Sequence, residues 1–197
     1  MSLSNPEKIV LASSNQGKIK EIQALLSDST IITQQQFNIK EAEETGSTFI
    51  ENAIIKARNA ARYSHLPAIA DDSGLMVDAL NGAPGVISAR YASANASDQE
   101  NIDKLLKAMT GIPQAQRRAR FICVMVFMRH AHDPFPVIAQ GSWEGFILPQ
   151  TQGSNGFGYD PVFWVPTENC SAAELSATRK NQLSHRGQAL TQLTSLL

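Results

Sequence analysis

The chain has 197 residues, a length typical of one folded domain with its own core, since domains commonly span roughly 100–200 residues. Hydrophobic residues make up 43% and charged residues 18% of the chain, which excludes disorder over most of its length. The 17 basic residues nearly balance the 18 acidic ones, so a net charge of −1 provides no overall positive field for nonspecific binding of nucleic acid. A polyanionic ligand therefore requires a local cluster of charges.

The apolar runs, the first residues and the cysteines of the chain argue against membrane-spanning, secreted and disulfide-rich proteins. No apolar run approaches the ~18 residues of a membrane-spanning helix, and the first residues lack the apolar core of a secretory signal. Two cysteines, Cys123 and Cys170, are too few for a disulfide framework and show no metal-ligand spacing. Cys123 lies in the apolar run F-I-C-V-M-V-F-M, which favours a packed core thiol over a nucleophile. We therefore expect a soluble cytoplasmic protein with neither a membrane nor a nucleic acid as partner.

The first half of the chain alternates a predicted strand with predicted helices. Lys8 to Ala12 is apolar and predicts a buried strand, and a polar turn follows it. The next segment has apolar residues at helical spacing, namely Ile19, Ile22, Leu25 and Leu26. A second helix is predicted from about Thr48 to Tyr63, because Thr48-x-x-Glu51 fits a capping box.

The second half mixes both kinds of element. Ser97-x-x-Glu100 predicts a third helix, with Ile102, Leu105, Leu106 and Met109 directed inward. Strands are predicted at Arg120 to Met128, at Val137 to Ile147 as one or two strands, and at Val162 to Val165. Ser171-x-x-Glu174 and Ser184 predict the starts of two short helices, the second with Ala189, Leu190, Leu193 and Leu197 inward. This order predicts a single α/β domain over residues 1–197, built around one mixed sheet.

The segment Ser13-Ser14-Asn15-Gln16-Gly17-Lys18 joins the first predicted strand to the first predicted helix. Backbone N–H groups and the helix dipole at such a helix start favour a bound anion such as phosphate. The segment is not a Walker A loop, because Ala12 and Ile19 stand where that motif has Gly and Ser or Thr. An ordinary polar turn with a surface lysine has the same residues, so this segment alone leaves both interpretations open.

Two adjacent carboxylates, Asp71 and Asp72, lie in the apolar context A-I-A-D-D-S-G-L-M-V. Predicted strand pieces at Ala68 to Ala70 and Leu75 to Val77 place them at a bend. Because adjacent carboxylates repel each other and are unfavourable to bury, the pair favours a nearby cation, such as Mg²⁺ bridging to substrate phosphates. An Asx turn with one solvated carboxylate is the alternative. Three glutamates before the second helix either complete an acidic site or form a solvated loop: Glu41, Glu43 and Glu44.

A glycine-rich loop from Gly153 to Pro161 carries two aromatic residues and an acidic one. Its glycines allow the backbone to approach a ligand, and an aromatic ring can stack on a planar base. A structural loop whose rings fill the core is the alternative. Arg179-Lys180 and Ser184-His185-Arg186-Gly187 add donors for a phosphate or a carbonyl edge, although a solvated basic face has the same pattern.

Six segments, in order along the whole chain, together resemble the inosine triphosphate pyrophosphatase family. They are Ser13-Ser14-Asn15-Gln16-Gly17-Lys18, Glu43-Glu44-Thr45-Gly46 with Phe49-Ile50-Glu51-Asn52-Ala53, Ala70-Asp71-Asp72-Ser73-Gly74-Leu75, Gly82-Ala83-Pro84-Gly85 with Ser88-Ala89-Arg90-Tyr91, Gly156-Phe157-Gly158-Tyr159-Asp160-Pro161, and Ser184-His185-Arg186-Gly187. Each motif alone is weak to moderate, but six in family order are too many for a chance match.

This resemblance implies an elongated α/β fold, with a mixed central sheet flanked by helices and an active-site cleft between two lobes. It also implies a homodimer and dependence on Mg²⁺. By motif position, Asp72 would be the general base and a metal ligand, and Glu44 the second metal ligand. Substrate binding would fall to residues of several motifs: Ser13, Ser14, Asn15, Gln16, Gly17, Lys18, Ser73, Phe157, Gly158, Tyr159, Asp160, Lys180, His185 and Arg186.

The implied activity is hydrolysis of dITP, ITP and XTP to the nucleoside monophosphate and pyrophosphate, which removes deaminated purines from the nucleotide pool. Hypoxanthine and xanthine present an O6 acceptor, which donors near His185 or Arg186 would satisfy, whereas adenine would leave such donors unpaired. Two alternatives stay open. One is a related pyrophosphatase of the septum-inhibitor family acting on dTTP, UTP or modified pyrimidine nucleotides, and the other is a nucleotide-binding module without turnover.

Overall fold

The structure is a computed structural model that describes residues 8–25 and 30–197. Its five α-helices within these ranges are α1 (Gln16–Leu25), α2 (Phe49–Ser64), α3 (Asp98–Ala108), α4 (Ala177–Leu183) and α5 (His185–Leu196). The strands there are β1 (Lys8–Leu11), β2 (Thr30–Thr33), β3 (Ala68–Val77), β4 (Arg118–Met128), β5 (Val137–Ile147), β6 (Phe163–Val165) and β7 (Cys170–Ser171).

All of these strands belong to one seven-stranded sheet, in the order β2-β1-β3-β4-β5-β6-β7. Strand β1 pairs in parallel with both β2 and β3, and Ile9 lies opposite Ile31. Strand β6 pairs antiparallel with both β5 and β7, with Phe146 opposite Trp164. The predicted α/β class, a mixed sheet flanked by helices, is therefore confirmed.

The chain divides into two compact units. Unit 1 consists of Met1–Asp72, Cys123–Gly141 and Arg186–Leu197, and unit 2 of Ser73–Ile122 and Ser142–His185. Strands β3, β4 and β5 contribute residues to both units. The prediction of a single domain over residues 1–197 stays a prediction.

The core of unit 1 is aliphatic for the most part and combines residues of the strands with residues of α1 and α5. Its buried members are Ile9, Leu11, Ile19, Ile22, Ile69, Cys123, Met125, Phe127, Ala139, Ala189, Leu190 and Leu193. Cys123 is fully buried here, which confirms its prediction as a core thiol. Burial removes these apolar side chains from water, at a gain of roughly 25 cal/mol per Å².

The core of unit 2 is richer in aromatic residues. The Phe121 ring lies 4.5 Å from the Phe163 ring and 6.3 Å from the Trp143 ring, measured between ring centroids. Gly145 is required beside this cluster, because a Cβ atom there would lie 2.6 Å from the Phe163 ring and 2.4 Å from the Trp164 carbonyl oxygen. A side chain at position 145 would therefore clash with β6.

The helix starts that depend on local capping follow the predictions. Thr48 and Glu51 form a capping box at the start of α2, and Ser97 and Glu100 form another at the start of α3. The box of Ser171 and Glu174 is also present, and the short helix that it begins is a three-residue 3₁₀ helix, Ala172–Glu174. Ser176 instead caps the helix α4. The helix predicted after Ser184 is confirmed as α5.

The predicted bend at the aspartate pair is wrong. Strand β3 runs without interruption from Ala68 to Val77, and Asp71 and Asp72 lie in its middle. Both side chains are buried and bound to cations, so neither needs the solvent that an Asx turn would provide. Charge compensation by distant side chains allows this polar sequence to remain in the sheet.

Smaller differences concern short or extended elements. The predictions did not include β2 and β7, whose four and two residues are too short to show an alternating pattern. Segment Val137–Ile147 forms one strand. The predicted helical residue Leu26 lies outside the described residues. No helix among residues 8–25 and 30–197 has the length and apolar character to cross a membrane.

Candidate active site

The turn between β1 and α1 is organised by its own polar side chains. The Oδ1 atom of Asn15 accepts a hydrogen bond of 3.0 Å from the Lys18 backbone N–H, so Asn15 caps the helix. The hydroxyl of Ser13 accepts a bond of 3.3 Å from the Asn15 N–H, and the hydroxyl of Ser14 accepts one of 3.3 Å from Gln34 Nε2. The strand–turn–helix arrangement predicted for anion binding is therefore present, with Gln16 and Gly17 in its first turn.

Lys18 extends from this turn to the aspartate pair. Its Nζ atom lies 2.9 Å from Oδ2 of Asp71, and 17% of its side chain is exposed. The predicted phosphate-binding lysine thus has a protein carboxylate as its partner, while part of its side chain still reaches solvent.

Asp71 is held between two cations. Besides Lys18, the Nη2 atom of Arg186 lies 3.6 Å from Asp71 Oδ2, and Arg186 Nη1 donates to Oε2 of Glu21. Burial acts to raise the pKa of Asp71, but the charges of Lys18, Arg186 and Lys56 outweigh it and hold the pKa well below its ordinary value. Asp71 is therefore an ionised counter-ion at neutral pH.

Asp72 has a different environment, because successive side chains of a strand point to opposite faces of the sheet. Its Oδ1 atom lies 2.8 Å from Lys56 Nζ, and its Oδ2 atom accepts a bond of 3.4 Å from Asn52 Nδ2. Burial raises the pKa of Asp72 above its ordinary value, although the neighbouring Lys56 ammonium acts in the opposite direction. A buried carboxylate with a raised pKa has the character of a general base.

Lys56 connects the two carboxylates that were predicted as metal ligands. Its Nζ atom lies 2.8 Å from Oε1 of Glu44 as well as 2.8 Å from Oδ1 of Asp72. Burial acts to lower the pKa of Lys56, but the carboxylates of Asp72, Asp71 and Glu44 raise it, so the ammonium stays charged. The sequence predictions missed Lys56. The one local sign of its role is that Lys56 lies a helical turn after Asn52 on α2, so both side chains are on the same face of the helix.

The donors around Lys56 fit a hard divalent cation in number and type. Glu44 and Asp72 supply carboxylate oxygens, the ligands that Mg²⁺ prefers. The part of the chain that the structure describes has no group of three or more His, Cys, Asp or Glu side chains arranged for a metal. Mg²⁺ commonly takes one or two protein carboxylates and completes its shell with water and phosphate oxygens, so two carboxylates suffice.

In unit 2, the glycine-rich loop is built around Asp160. The Oδ2 atom of Asp160 lies 2.5 Å from Lys180 Nζ and accepts a bond of 3.0 Å from the Phe157 N–H. Lys180 Nζ also lies 4.8 Å from the centroid of the Phe157 ring, a cation–π arrangement. The structure therefore brings three of the predicted substrate-binding residues into one cluster.

Gly156 is essential to this cluster for two reasons. Its φ of 77° lies in the left-handed region, and a Cβ atom there would lie 2.0 Å from Asp160 Oδ2. Gly158 also has a positive φ, and its N–H donates to Asp98 Oδ2 at 2.7 Å. Backbone hydrogen bonds to Asp160 and Asp98 thus hold the loop in the structure.

Other predicted residues of unit 2 are more deeply packed. The Tyr159 ring belongs to the core and its hydroxyl donates to the Ser88 carbonyl oxygen at 2.8 Å. The His185 ring is buried and stacks on Phe121, with 4.8 Å between ring centroids. Ser73 follows Asp72 on β3 and is partly exposed. Tyr159 thus has a clear structural role, whereas its predicted contact with substrate stays a prediction.

Arg186 was predicted to bind substrate and to read the base. Only 3% of its side chain is exposed, and its guanidinium is bound to Glu21 and Asp71. These ion pairs favour a role in which Arg186 holds the carboxylate of Asp71 in position. The predicted contact with a base stays untested.

Comparisons with known proteins agree with the motif order. The model of the Ham1 family matches residues 9–196. A dITP/XTP pyrophosphatase of Vibrio vulnificus (strain YJ016) is 61% identical over 193 residues, covering 97% of this chain and 96% of the relative. One from Vibrio cholerae is 62% identical over 189 residues, covering 95% and 94%.

Solved structures extend the similarity to the fold. A HAM1 protein from Coxiella burnetii superposes with a TM-score of 0.91 at 52% identity, covering 97% of this chain and 98% of that one. A nucleoside-triphosphatase, named also dITP/XTP pyrophosphatase, from Mycobacterium abscessus gives a TM-score of 0.76 at 38% identity, covering 94% and 98%. The family resemblance inferred from the six motifs is therefore confirmed, and the chain belongs to the Ham1 family.

Proposed function

We propose that the protein is a Mg²⁺-dependent pyrophosphatase that hydrolyses dITP, ITP and XTP to the nucleoside monophosphate and pyrophosphate. Relatives about 60% identical over nearly the whole chain are named dITP/XTP pyrophosphatase, which supports a hydrolase acting on nucleotides. The same names favour purine over pyrimidine substrates, and therefore favour this proposal over the septum-inhibitor alternative.

The observation that carries the proposal is the environment of Asp72. This carboxylate is buried, its pKa is raised, and it lies one lysine away from a second carboxylate, Glu44. A module that only bound nucleotides would gain nothing from carboxylates beside a phosphate site, because they repel phosphate unless a cation intervenes. Such a pair suits hydrolysis better than binding.

In the proposed reaction, Asp72 orients a water molecule and accepts its proton as the water oxygen attacks the α-phosphorus. The bond between the α-phosphorus and the oxygen bridging to the β-phosphorus breaks, and pyrophosphate leaves with the electron pair of that bond. Glu44 and Asp72 would hold Mg²⁺, which when bound supplies positive charge to the phosphate oxygens. Lys18 and the N–H groups at the start of α1 would bind further phosphate oxygens.

Base recognition is proposed for the cluster of unit 2. The Phe157 ring is partly exposed and already lies beside the Lys180 ammonium, so it can stack on a purine while the cation adds to the attraction. Donors near His185 would satisfy O6 of hypoxanthine or xanthine. A buried donor left unpaired by adenine costs about 1–3 kcal/mol, which favours the oxo purines.

The test is release of pyrophosphate from dITP, XTP, dATP, dGTP and dTTP, each with Mg²⁺ and again with a chelator. We expect metal-dependent release that is fastest with dITP and XTP. Comparable release from dTTP would replace the proposal with the pyrimidine-directed activity, and no release from any nucleotide would favour the binding module.

Two further predictions accompany the proposed function without bearing on its chemistry. The homodimer and the cytoplasmic location rest on the family resemblance and on composition. Light scattering after size-exclusion chromatography tests the dimer directly, since a mass near that of one chain would exclude it.

A further inference from the structure

The ammonium of Lys56 lies between the two carboxylates assigned to the metal. Its distances of 2.8 Å to Glu44 Oε1 and 2.8 Å to Asp72 Oδ1 are those of charge-assisted hydrogen bonds. Lys56 therefore uses one oxygen of each carboxylate that the proposed function gives to Mg²⁺. The inference below rests on that metal assignment.

Solvent has limited access to these contacts. The exposed fractions of the side chains are 15% for Lys56, 23% for Glu44 and 6% for Asp72. Charges that are partly buried interact more strongly than charges on the surface, because water screens them less. The ammonium thus offsets repulsion between two carboxylates that would otherwise face each other with little solvation.

A divalent cation and this ammonium would compete for the same two carboxylates. Mg²⁺ requires near-octahedral geometry with oxygen atoms at about 2.0–2.1 Å, and a lysine ammonium hydrogen-bonded to both carboxylates obstructs that geometry. We propose that Lys56 is a positioning residue that holds Glu44 and Asp72 together in the metal-free protein, and that metal binding displaces its ammonium from them. Lys56 consequently lowers the affinity of the substrate-free protein for the metal.

The effect of Lys56 on metal affinity distinguishes this role from that of a residue that only shapes the metal site. A residue that only shaped a metal site would, when removed, weaken metal binding. Lys56 is expected to act in the opposite direction, because its removal deletes a competing positive charge and leaves both carboxylates to the metal. Affinity for the metal alone, without nucleotide, therefore separates the two roles.

The experiment measures Mn²⁺ binding to the substrate-free protein, using the electron paramagnetic resonance signal of free Mn²⁺, for wild type and Lys56→Met. We expect the variant to bind Mn²⁺ with a Kd lower by about tenfold or more, a tenfold change being about 1.4 kcal/mol. Lys56→Arg retains the positive charge and should stay near wild type. Lys20→Met, which removes a charge from the exposed face of α1, should also leave Kd near wild type.

A second measurement, of the Tm, tests the proposal even if Lys56→Met is less stable than wild type. Without metal, Lys56→Met leaves two carboxylates facing each other, so its Tm should lie below that of wild type. Added MgCl₂ should then raise the Tm of Lys56→Met more than that of wild type, since at a given concentration a ligand with a lower Kd stabilises the folded state more.

The outcomes separate this inference from the proposed function. Equal or weaker Mn²⁺ binding by Lys56→Met overturns the inference, and so does equal tightening in Lys56→Arg or Lys20→Met. In each of these cases, metal-dependent release of pyrophosphate by wild type would leave the proposed function intact. Absence of binding to every variant, together with turnover that a chelator does not affect, would overturn the inference and remove Mg²⁺ from the proposed function.

Discussion

The two aspartates of β3 are neighbours in the chain but have contrasting environments. Asp71 faces Lys18 and Arg186, and their positive charge outweighs the effect of burial, so its pKa is lowered. Burial raises the pKa of Asp72, because the charge of Lys56, which also pairs with Glu44, does not outweigh it. The pKa values of two chemically identical groups are thus shifted in opposite directions on the two faces of one strand.

This difference shows how one short acidic segment can supply both structure and chemistry. A carboxylate with surplus cations stays ionised and anchors other side chains. A carboxylate short of cations binds protons more readily, as a general base must. The contrast predicts which substitution will affect turnover and which will affect stability.

The largest expected effect belongs to Asp72→Asn. Loss of the base should lower kcat by roughly 10²–10⁴-fold, while the neutral side chain keeps the shape of the site and most of the affinity for nucleotide. Pyrophosphate release at saturating dITP measures the first quantity and calorimetry with dITP the second. Turnover near that of wild type would remove Asp72 from the role of base.

Asp71→Asn should affect stability instead. Removal of this carboxylate leaves Lys18 and Arg186 as neighbouring cations with less compensation, and loss of one partner of a buried pair costs about 3–5 kcal/mol. Urea unfolding measures the free energy. Asp78→Asn is a matched control, because Asp78 pairs with Arg120 while 47% exposed and should lose at most about 1 kcal/mol. Similar losses in the two variants would contradict the contrast.

The contrast also predicts opposite dependences on pH. The pKa of Asp71 in the folded protein lies below its ordinary value near 3.9, so its stabilising contribution is present above about pH 4 and is lost as the pH falls. The pKa of Asp72 is raised, so its ionisation lowers stability at higher pH and that penalty disappears on acidification.

Urea unfolding at several pH values between about 3 and 7 tests both signs. The stability difference between wild type and Asp71→Asn should shrink as the pH falls. Stability of Asp72→Asn relative to wild type should be greatest near neutral pH and decline toward acid. The same trend in both variants would show that the two environments do not differ as described.

The smallest expected effect is that of Glu21→Gln. Arg186 would lose the charge of one partner but keep Asp71, so we expect a loss of about 1–2 kcal/mol in the free energy of unfolding. Glu168→Gln breaks a pair with the more exposed Arg179 and should cost less than Glu21→Gln, because solvent screens that pair. If Glu21→Gln costs no more stability than Glu168→Gln, Glu21 does not belong to the buried network of Asp71, Lys18 and Arg186.

Features that depend on neighbours in sequence could be predicted. The capping boxes of Thr48 with Glu51 and of Ser97 with Glu100 involve residues three positions apart, and both are present. The helical face of α5 follows from apolar spacing alone. Such signals need no knowledge of the rest of the fold.

Features that depend on distant residues could not be predicted in the same way. Asp, Ser and Gly favour turns, so the sequence around Asp71 and Asp72 indicated a bend. Three cations from α1, α2 and α5 keep the segment in the sheet, and local patterns do not report them. Lys56 was missed for the same reason, since its importance comes from Glu44 and Asp72, 12 and 16 residues away in the chain.

The buried thiol of Cys123 offers a chemical reporter for motions of unit 1. Burial, together with the nearby charge of Asp71, raises the pKa of Cys123 to about 12, so an alkylating reagent can react only after the surrounding structure opens. In a Cys170→Ser background, the rate of labelling at Cys123 would therefore follow the opening of β4 beside the acidic segment. Slower labelling in the presence of a nucleotide would show how far nucleotide binding reduces the opening of the core around Cys123.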